Sequence, residues 1–161
     1  MTKLRLLQNL EERAAVAMAF LAFTISTSQC FNFFTHLVQY ESSEYLSWVY
    51  LNREELISFI GASFCLILTW YSRRRKWLTI VNLIWISVSL FVLGMAFYFA
   101  FWFALTSIHS DPKQRQNELE HLRLVWERYW YLPIVFLLLA GVWVTQWRVL
   151  YTSKRKNAEA G

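Results

Sequence analysis

Four glycines and two prolines in 161 residues leave little chain for turns or unstructured segments. The two cysteines, Cys30 and Cys65, form no CxxC pair and no metal-ligand spacing. Both sit in apolar runs, where a packed thiol is the ordinary reading. No GxSxG, HExxH, P-loop or GxGxxG sequence occurs. Nothing therefore points to nucleophilic, zinc, phosphate or dinucleotide chemistry, and we expect neither an enzyme nor a bound cofactor. The most informative absence is charge. Residues 14–40, 56–72, 77–110 and 129–147 contain no Asp, Glu, Lys or Arg.

What fills those runs is apolar and aromatic. The chain is 57% hydrophobic and 19% aromatic, against roughly 45–50% apolar residues in a soluble domain. Each uncharged run is long enough to cross a bilayer, the second with little to spare. Backbone groups in hydrocarbon must satisfy one another, and the runs lack the strict alternation of a barrel strand. The sequence thus predicts an all-α integral membrane protein of one domain, residues 1–161, with spans at about 14–36, 55–72, 77–106 and 130–151. The first run is long for a cleaved leader and follows Glu11 and Glu12. Gln29 before Cys30 does not suit a lipoprotein cleavage site. We expect a retained span.

The basic residues set the expected orientation. With the N-terminus inside, the inner segments hold Lys3, Arg5, Arg13, Arg73, Arg74, Arg75, Lys76, Arg148, Lys154, Arg155 and Lys156. The outer ones hold only Arg53, Lys113, Arg115, Arg123 and Arg128. Both termini are therefore expected in the cytoplasm of a multi-pass inner-membrane protein. The basic cluster 73–76 predicts a tight cytoplasmic hairpin. The net charge of +5 serves this asymmetry and gives no reason to expect nucleic acid.

The outer segments carry the specific patterns. Tyr40, Tyr45, Trp48 and Tyr50 are amphipathic rings suited to the headgroup level, which predicts a short interfacial helix there. Asn52 is placed to cap the second span, with Glu55 three residues on. Ser110, Asp111 and Pro112 read as the start of a charged helix over 112–128 that leads into the fourth span. Leu119, Leu122, Trp126 and Tyr129 recur on one face; Arg123 and Glu127 stand at an i,i+4 spacing on the other. Such a helix either folds back along its own loop or offers Leu119, Leu122, Arg123 and Trp126 for docking a partner protein. Pro133, inside the helical pattern, predicts a kink where the fourth span begins.

Ionisable groups at mid-membrane mark proton relays, ion paths and voltage sensors. Their absence here, with few Gly and Pro to break helices, predicts an auxiliary part more than a transport engine. Polar residues do occur in the spans: Thr24, Ser26, Thr27, Ser28, Gln29, Asn32 and Thr35 in the first, Asn82, Ser87 and Ser89 in the third. Such groups bond across helices, within the chain or to a partner subunit, for which Gln29 and Asn32 are candidates. His36 and His109 end two spans on the outer side, with His121 also outside. A facing pair of histidines could ligate a haem or metal, but the spacing is no family's signature, and interfacial histidines without a ligand are the default.

Three places resemble the small membrane subunit of tripartite ATP-independent periplasmic (TRAP) transporters. Residues 6–12, Leu-Leu-Gln-Asn-Leu-Glu-Glu, resemble the amphipathic lead-in to that family's first helix. Glu54-Glu55-Leu56 and the later Arg73-Arg74-Arg75 resemble its acidic start and basic exit around helix two. Trp130 to Ile134 resembles the aromatic, Pro-containing start of its last helix. The chain departs from the family at Asn32, where an Arg is usual, in its longer first outer loop, in lacking an amphipathic stretch before span three, and in its charged segment 112–128. The resemblance implies four helices with both ends inside, bracing a large transport subunit.

The expected function is a non-catalytic membrane subunit whose partners are the lipid bilayer and a larger membrane protein. Two other readings stay open. One is an immunity or protective protein that uses the charged outer helix. The other is an electron-transfer or quinone-associated subunit that uses His36 and His109.

Overall fold

A computed structural model of the chain describes residues 3–37, 53–72, 75–106, 120, 123, 126, 127 and 129–159. Side chains are described for 9–31, 54–72, 75, 77–99, 102, 120, 123, 126, 127 and 129–152. Four helices account for nearly all of this: α1 (Lys3–Leu37), α2 (Arg53–Ser72), α3 (Lys76–Thr106) and α4 (Tyr131–Glu159). All four are long and apolar enough to cross a membrane, over Asn9–Phe31, Glu54–Ser72, Trp77–Phe99 and Tyr131–Thr152. The described residues are therefore all helical but for Arg75 and Trp130, and the four helices are those of a multi-pass membrane protein.

The helices follow one another around a bundle. α1 packs on α2 and α4, α3 packs on α2 and α4, and α2 meets α4 across the middle. The ends of α2 and α3 are joined by residues 73–75 alone, the tight hairpin that the basic cluster predicts. The Leu78 N–H bonds to the Arg75 carbonyl at 3.0 Å and closes the first turn of α3. Such a short link forces antiparallel neighbours. Glu54 and Glu55 fall in the first turn of α2, where the positive end of the helix favours carboxylates. Asn52, the expected cap, lies outside the described residues, as do Tyr40, Tyr45, Trp48 and Tyr50.

Residues 6–12 belong to the first helix itself. Helix α1 runs unbroken from Lys3, because no Gly or Pro interrupts it, and its 35 residues make a rod of about 50 Å. That exceeds a hydrocarbon core of roughly 30 Å, so its charged first turns stand clear of the core. One expectation needs correction: the described helical residues 120, 123, 126, 127 and 129 do not run straight into the fourth span. The helix breaks at Trp130 in a turn and resumes at Tyr131. Pro133 has no N–H to give the Tyr129 carbonyl, so the ladder is interrupted there. Pro133 thus sits in the first turn of α4, where a missing N–H costs nothing, and kinks no helix interior.

The inward faces show what holds the bundle. α1 buries Ala15, Ala19, Ala22, Ser26 and Cys30, at steps of four, three, four and four. α2 buries Glu55, Ser58, Ala62, Cys65 and Thr69 at alternating steps of three and four. The α2 steps average 3.5 residues and the α1 steps 3.75, so each set forms one stripe along its helix. Apart from Glu55 the side chains are small, because lipid gives no hydrophobic drive to association and close van der Waals approach and interhelical hydrogen bonds must supply it. α3 and α4 supply the bulk that fills between them: Ile86, Leu93, Leu132, Val135, Leu139 and Val142. Large apolar residues such as Phe31, Phe91 and Leu137 face outward, as a bilayer-embedded surface requires.

Candidate functional site

The polar side chains of the spans sort into two kinds. Thr24, Thr27, Ser63 and Thr145 return their hydroxyls to carbonyls one turn back on their own helices. This satisfies each group locally and joins nothing. Several others bridge helices. Ser26 on α1 and Ser58 on α2 share a hydrogen bond of 2.8 Å with neither side chain exposed. The Trp85 indole N–H donates to the Gly61 carbonyl at 3.2 Å, tying α3 to α2. The Trp143 indole N–H donates to Ser87 Oγ at 3.1 Å, tying α4 to α3.

The densest of these bridges lies toward the end of the bundle that carries the chain termini. Asn82 of α3 is fully buried. Its Nδ2 donates to Thr69 Oγ1 of α2 at 2.9 Å and to Gln146 Oε1 of α4 at 3.0 Å. Gln146 Nε2 in turn points to Thr69 Oγ1 and Ser72 Oγ, both at 3.4 Å. Three helices are thus locked by one amide pair and two hydroxyls. Asn82 Oδ1 has no donor among the described residues. Beside this cluster is a cavity of about 30 Å³ lined by Glu11, Glu12, Thr69, Ser72, Thr79, Thr145 and Gln146. Organic ligands occupy pockets of roughly 300–1,000 Å³. The cavity is an order of magnitude too small for one, so the cluster is a clamp between helices.

The remaining helix, α1, joins this end of the bundle through charge. Glu11 Oε1 lies 3.3 Å from Arg148 Nη2, with Glu11 a quarter exposed and Arg148 mostly exposed. Such a pair contributes little. Arg148→Gln should lower unfolding stability by no more than about 1 kcal/mol, and the loss should shrink in high salt. Thermal unfolding in detergent at two salt concentrations checks this. A larger, salt-insensitive loss would mean that Arg148 holds something besides Glu11.

The residues singled out from sequence fall in several places. Asn82 and Ser87 do bond across helices, and Ser26 joins them. Gln29 lies half-buried on α1, far along the helix from the Asn82 cluster, and makes no hydrogen bond among the described residues. Asn32 and His36 lie within α1, but their side chains are outside the described set. Leu119, Leu122, His109 and His121 lie wholly outside it. Arg123 Nε donates to Glu127 Oε1 at 2.8 Å, the i,i+4 pair read from the sequence, and Trp126 is exposed. No group of His, Cys, Asp and Glu among the described residues could hold a metal. Sequence reasoning does not single out Thr69 or Gln146. A Gln in the last uncharged run, opposite an Asn in the third, is the available signal.

No protein-family model, curated protein or solved structure matches this chain.

Open space on the molecule is lateral. A groove of about 540 Å³ lies between α1 and α2, and one of about 550 Å³ between α3 and α4. A third, of about 320 Å³, lies between Gly94 and Phe97 of α3 and Leu132 to Leu137 of α4. These open toward the surface a bilayer would cover.

Proposed function

We propose that the chain is a non-catalytic four-helix subunit of a larger inner-membrane complex, with both termini in the cytoplasm. The observation that carries this reading is how the interior polar groups are used. Asn82, Thr69, Gln146, Ser26 and Ser58 direct their hydrogen bonds to one another, which leaves a scaffold and not a conduit. The small subunit of a TRAP-type transporter is the most concrete form of such a part, supported by the residues around 6–12, 54–75 and 130–134. In that form the chain braces a large transport subunit and widens its footprint in the bilayer.

The test is purification of the chain, tagged at its native level, in a mild detergent. The expected result is a larger multi-span protein in fixed stoichiometry, whose transport activity falls when this chain is deleted. A chain that purifies alone, and whose deletion changes the abundance and activity of no other membrane protein, would sink the reading. Orientation has its own test. Single cysteines placed at residue 2 and residue 113 should differ toward a membrane-impermeant maleimide applied to intact spheroplasts. Residue 113 should label and residue 2 should not. The reverse pattern would invert the topology.

A further inference from the structure

The grooves on either side of the bundle differ in one respect. The α3–α4 groove is walled by Ile80, Ile84, Val88, Trp143, Trp147 and their neighbours, with Ser87 and no charged side chain. The α1–α2 groove has Arg13 in its wall, with Val16, Ala17 and Phe20 along α1 and Leu66, Ile67, Trp70 and Tyr71 along α2. Arg13 is exposed and forms no ion pair or hydrogen bond among the described residues. The acids next to it in sequence line the small cavity by Thr69 and Gln146, and Glu11 meets Arg148. Among the described residues, then, the Arg13 charge is unanswered in an otherwise apolar groove.

The layout along the groove matches a lipid. Arg13, Val16, Ala17 and Phe20 stand at i, i+3, i+4 and i+7, so the cation ends an apolar strip on one face. A guanidinium in contact with a bilayer settles at the headgroup level, and so do Trp and Tyr rings. Trp70 and Tyr71 stand opposite, one turn beyond Leu66 and Ile67, with exposed Arg75 past the helix end. We propose that this groove binds an anionic phospholipid of the leaflet on the side of the termini. Its phosphate pairs with Arg13 through the guanidinium fork, and an acyl chain lies along Ala17, Phe20 and Ile67. A second copy of the chain fits less well. A two-fold pair on this face would set one Arg13 against the other with no described acid in the groove to separate them.

Native mass spectrometry of the purified chain, released from nanodiscs of mixed phosphatidylglycerol and phosphatidylcholine, tests this. The wild-type chain should retain phosphatidylglycerol over phosphatidylcholine about fivefold, the factor expected for one cation at an anionic headgroup. Arg13→Gln should abolish the preference, and Arg13→Lys should keep a weaker one. Ala17→Trp should lower retention of both lipids by filling the groove. Ile84→Trp, in the uncharged groove, should leave the preference unchanged. Circular dichroism and a single elution peak verify that each variant is folded; Arg13 is exposed, so its replacement decides the matter even if Ala17→Trp misfolds. Equal retention of the two lipids by the wild-type chain, or an undiminished preference in Arg13→Gln, would overturn the proposal. So would a dimer that Ala17→Trp dissociates, which would assign the groove to a second copy. Because the readout is lipid retention by the isolated chain, it is independent of whether a larger subunit exists.

Discussion

Asn82→Ala should be among the most destabilising single truncations in the protein, at about 2 kcal/mol. The side chain is wholly buried and donates twice, to Thr69 and to Gln146. An interhelical hydrogen bond in a membrane protein contributes about 0.6 kcal/mol on average and at most about 1.7. Two such bonds account for roughly half of the expected loss. The rest comes from what is left behind: Gln146 Oε1 buried without its donor, and a void where the amide was. Asn82 and Gln146 act as a unit, so the double variant Asn82→Ala/Gln146→Ala should lose about 1 kcal/mol less than the two single losses added together. Thr24→Ala is the control, because that hydroxyl bonds only to the Phe20 carbonyl of its own helix and should matter by a few tenths of a kcal/mol. Equilibrium unfolding in mixed micelles reads all four. A near-wild-type Asn82→Ala, or strictly additive losses in the pair, would show that the cluster is no clamp.

That cluster also marks the boundary of what can be read in the chain. The four spans are legible because an apolar run of about 20 residues without charge suits a bilayer and little else. The hairpin at 73–75 is legible because four consecutive basic residues cannot lie within a bilayer core. The Arg123–Glu127 pair needs only local spacing. The Asn82–Gln146 bond needs more. Those residues are 64 positions apart, and their meeting depends on the order of the helices around the bundle and on how each is rotated. In spans apolar on all sides, hydrophobic periodicity does not report rotation. Residue size does, and the steps of Ala15, Ala19, Ala22 and Ser26 are present in the sequence as a stripe of small side chains. The interruption at Trp130 is half legible. Apolar periodicity through Trp126 and Tyr129 suggests one helix, and Pro133 marks where it is interrupted, but not that the interruption is a break at Trp130 with Pro133 in the first turn of α4.

If small-residue contact holds these helices together, enlarging Ala19 should do more harm than removing a much larger side chain from the lipid face. Ala19 is fully buried where α1 packs, between Ala15 and Ala22. On the same side of the helix the approach of α4 is close: a Cβ on Gly141 would come within 2.6 Å of Met18 Sδ. Ala19→Leu inserts three carbon atoms at a fully buried site, so α1 must move away from its neighbours. Overpacking in closed cores costs about 1–3 kcal/mol, and the upper end is expected here because Ala19 has no exposed face through which the added carbons could escape. Gly141→Ala should be milder, since the atom it strikes is a flexible thioether that can swing aside. Leu21→Ala removes the same three carbons from a residue that is half exposed on α1. In water such a truncation exposes little and costs little. In a bilayer it merely exchanges contact with one side chain for contact with acyl chains, so its loss should stay below about 0.5 kcal/mol. The ordering Ala19→Leu, then Gly141→Ala, then Leu21→Ala is the opposite of what bulk hydrophobicity would give, because the most damaging change is the one that adds apolar surface. Unfolding measured side by side for the three variants decides between the two accounts. A tolerated Ala19→Leu beside a damaging Leu21→Ala would mean that helix α1 is held by its outward face, against a partner, and not by the stripe that faces α2 and α4.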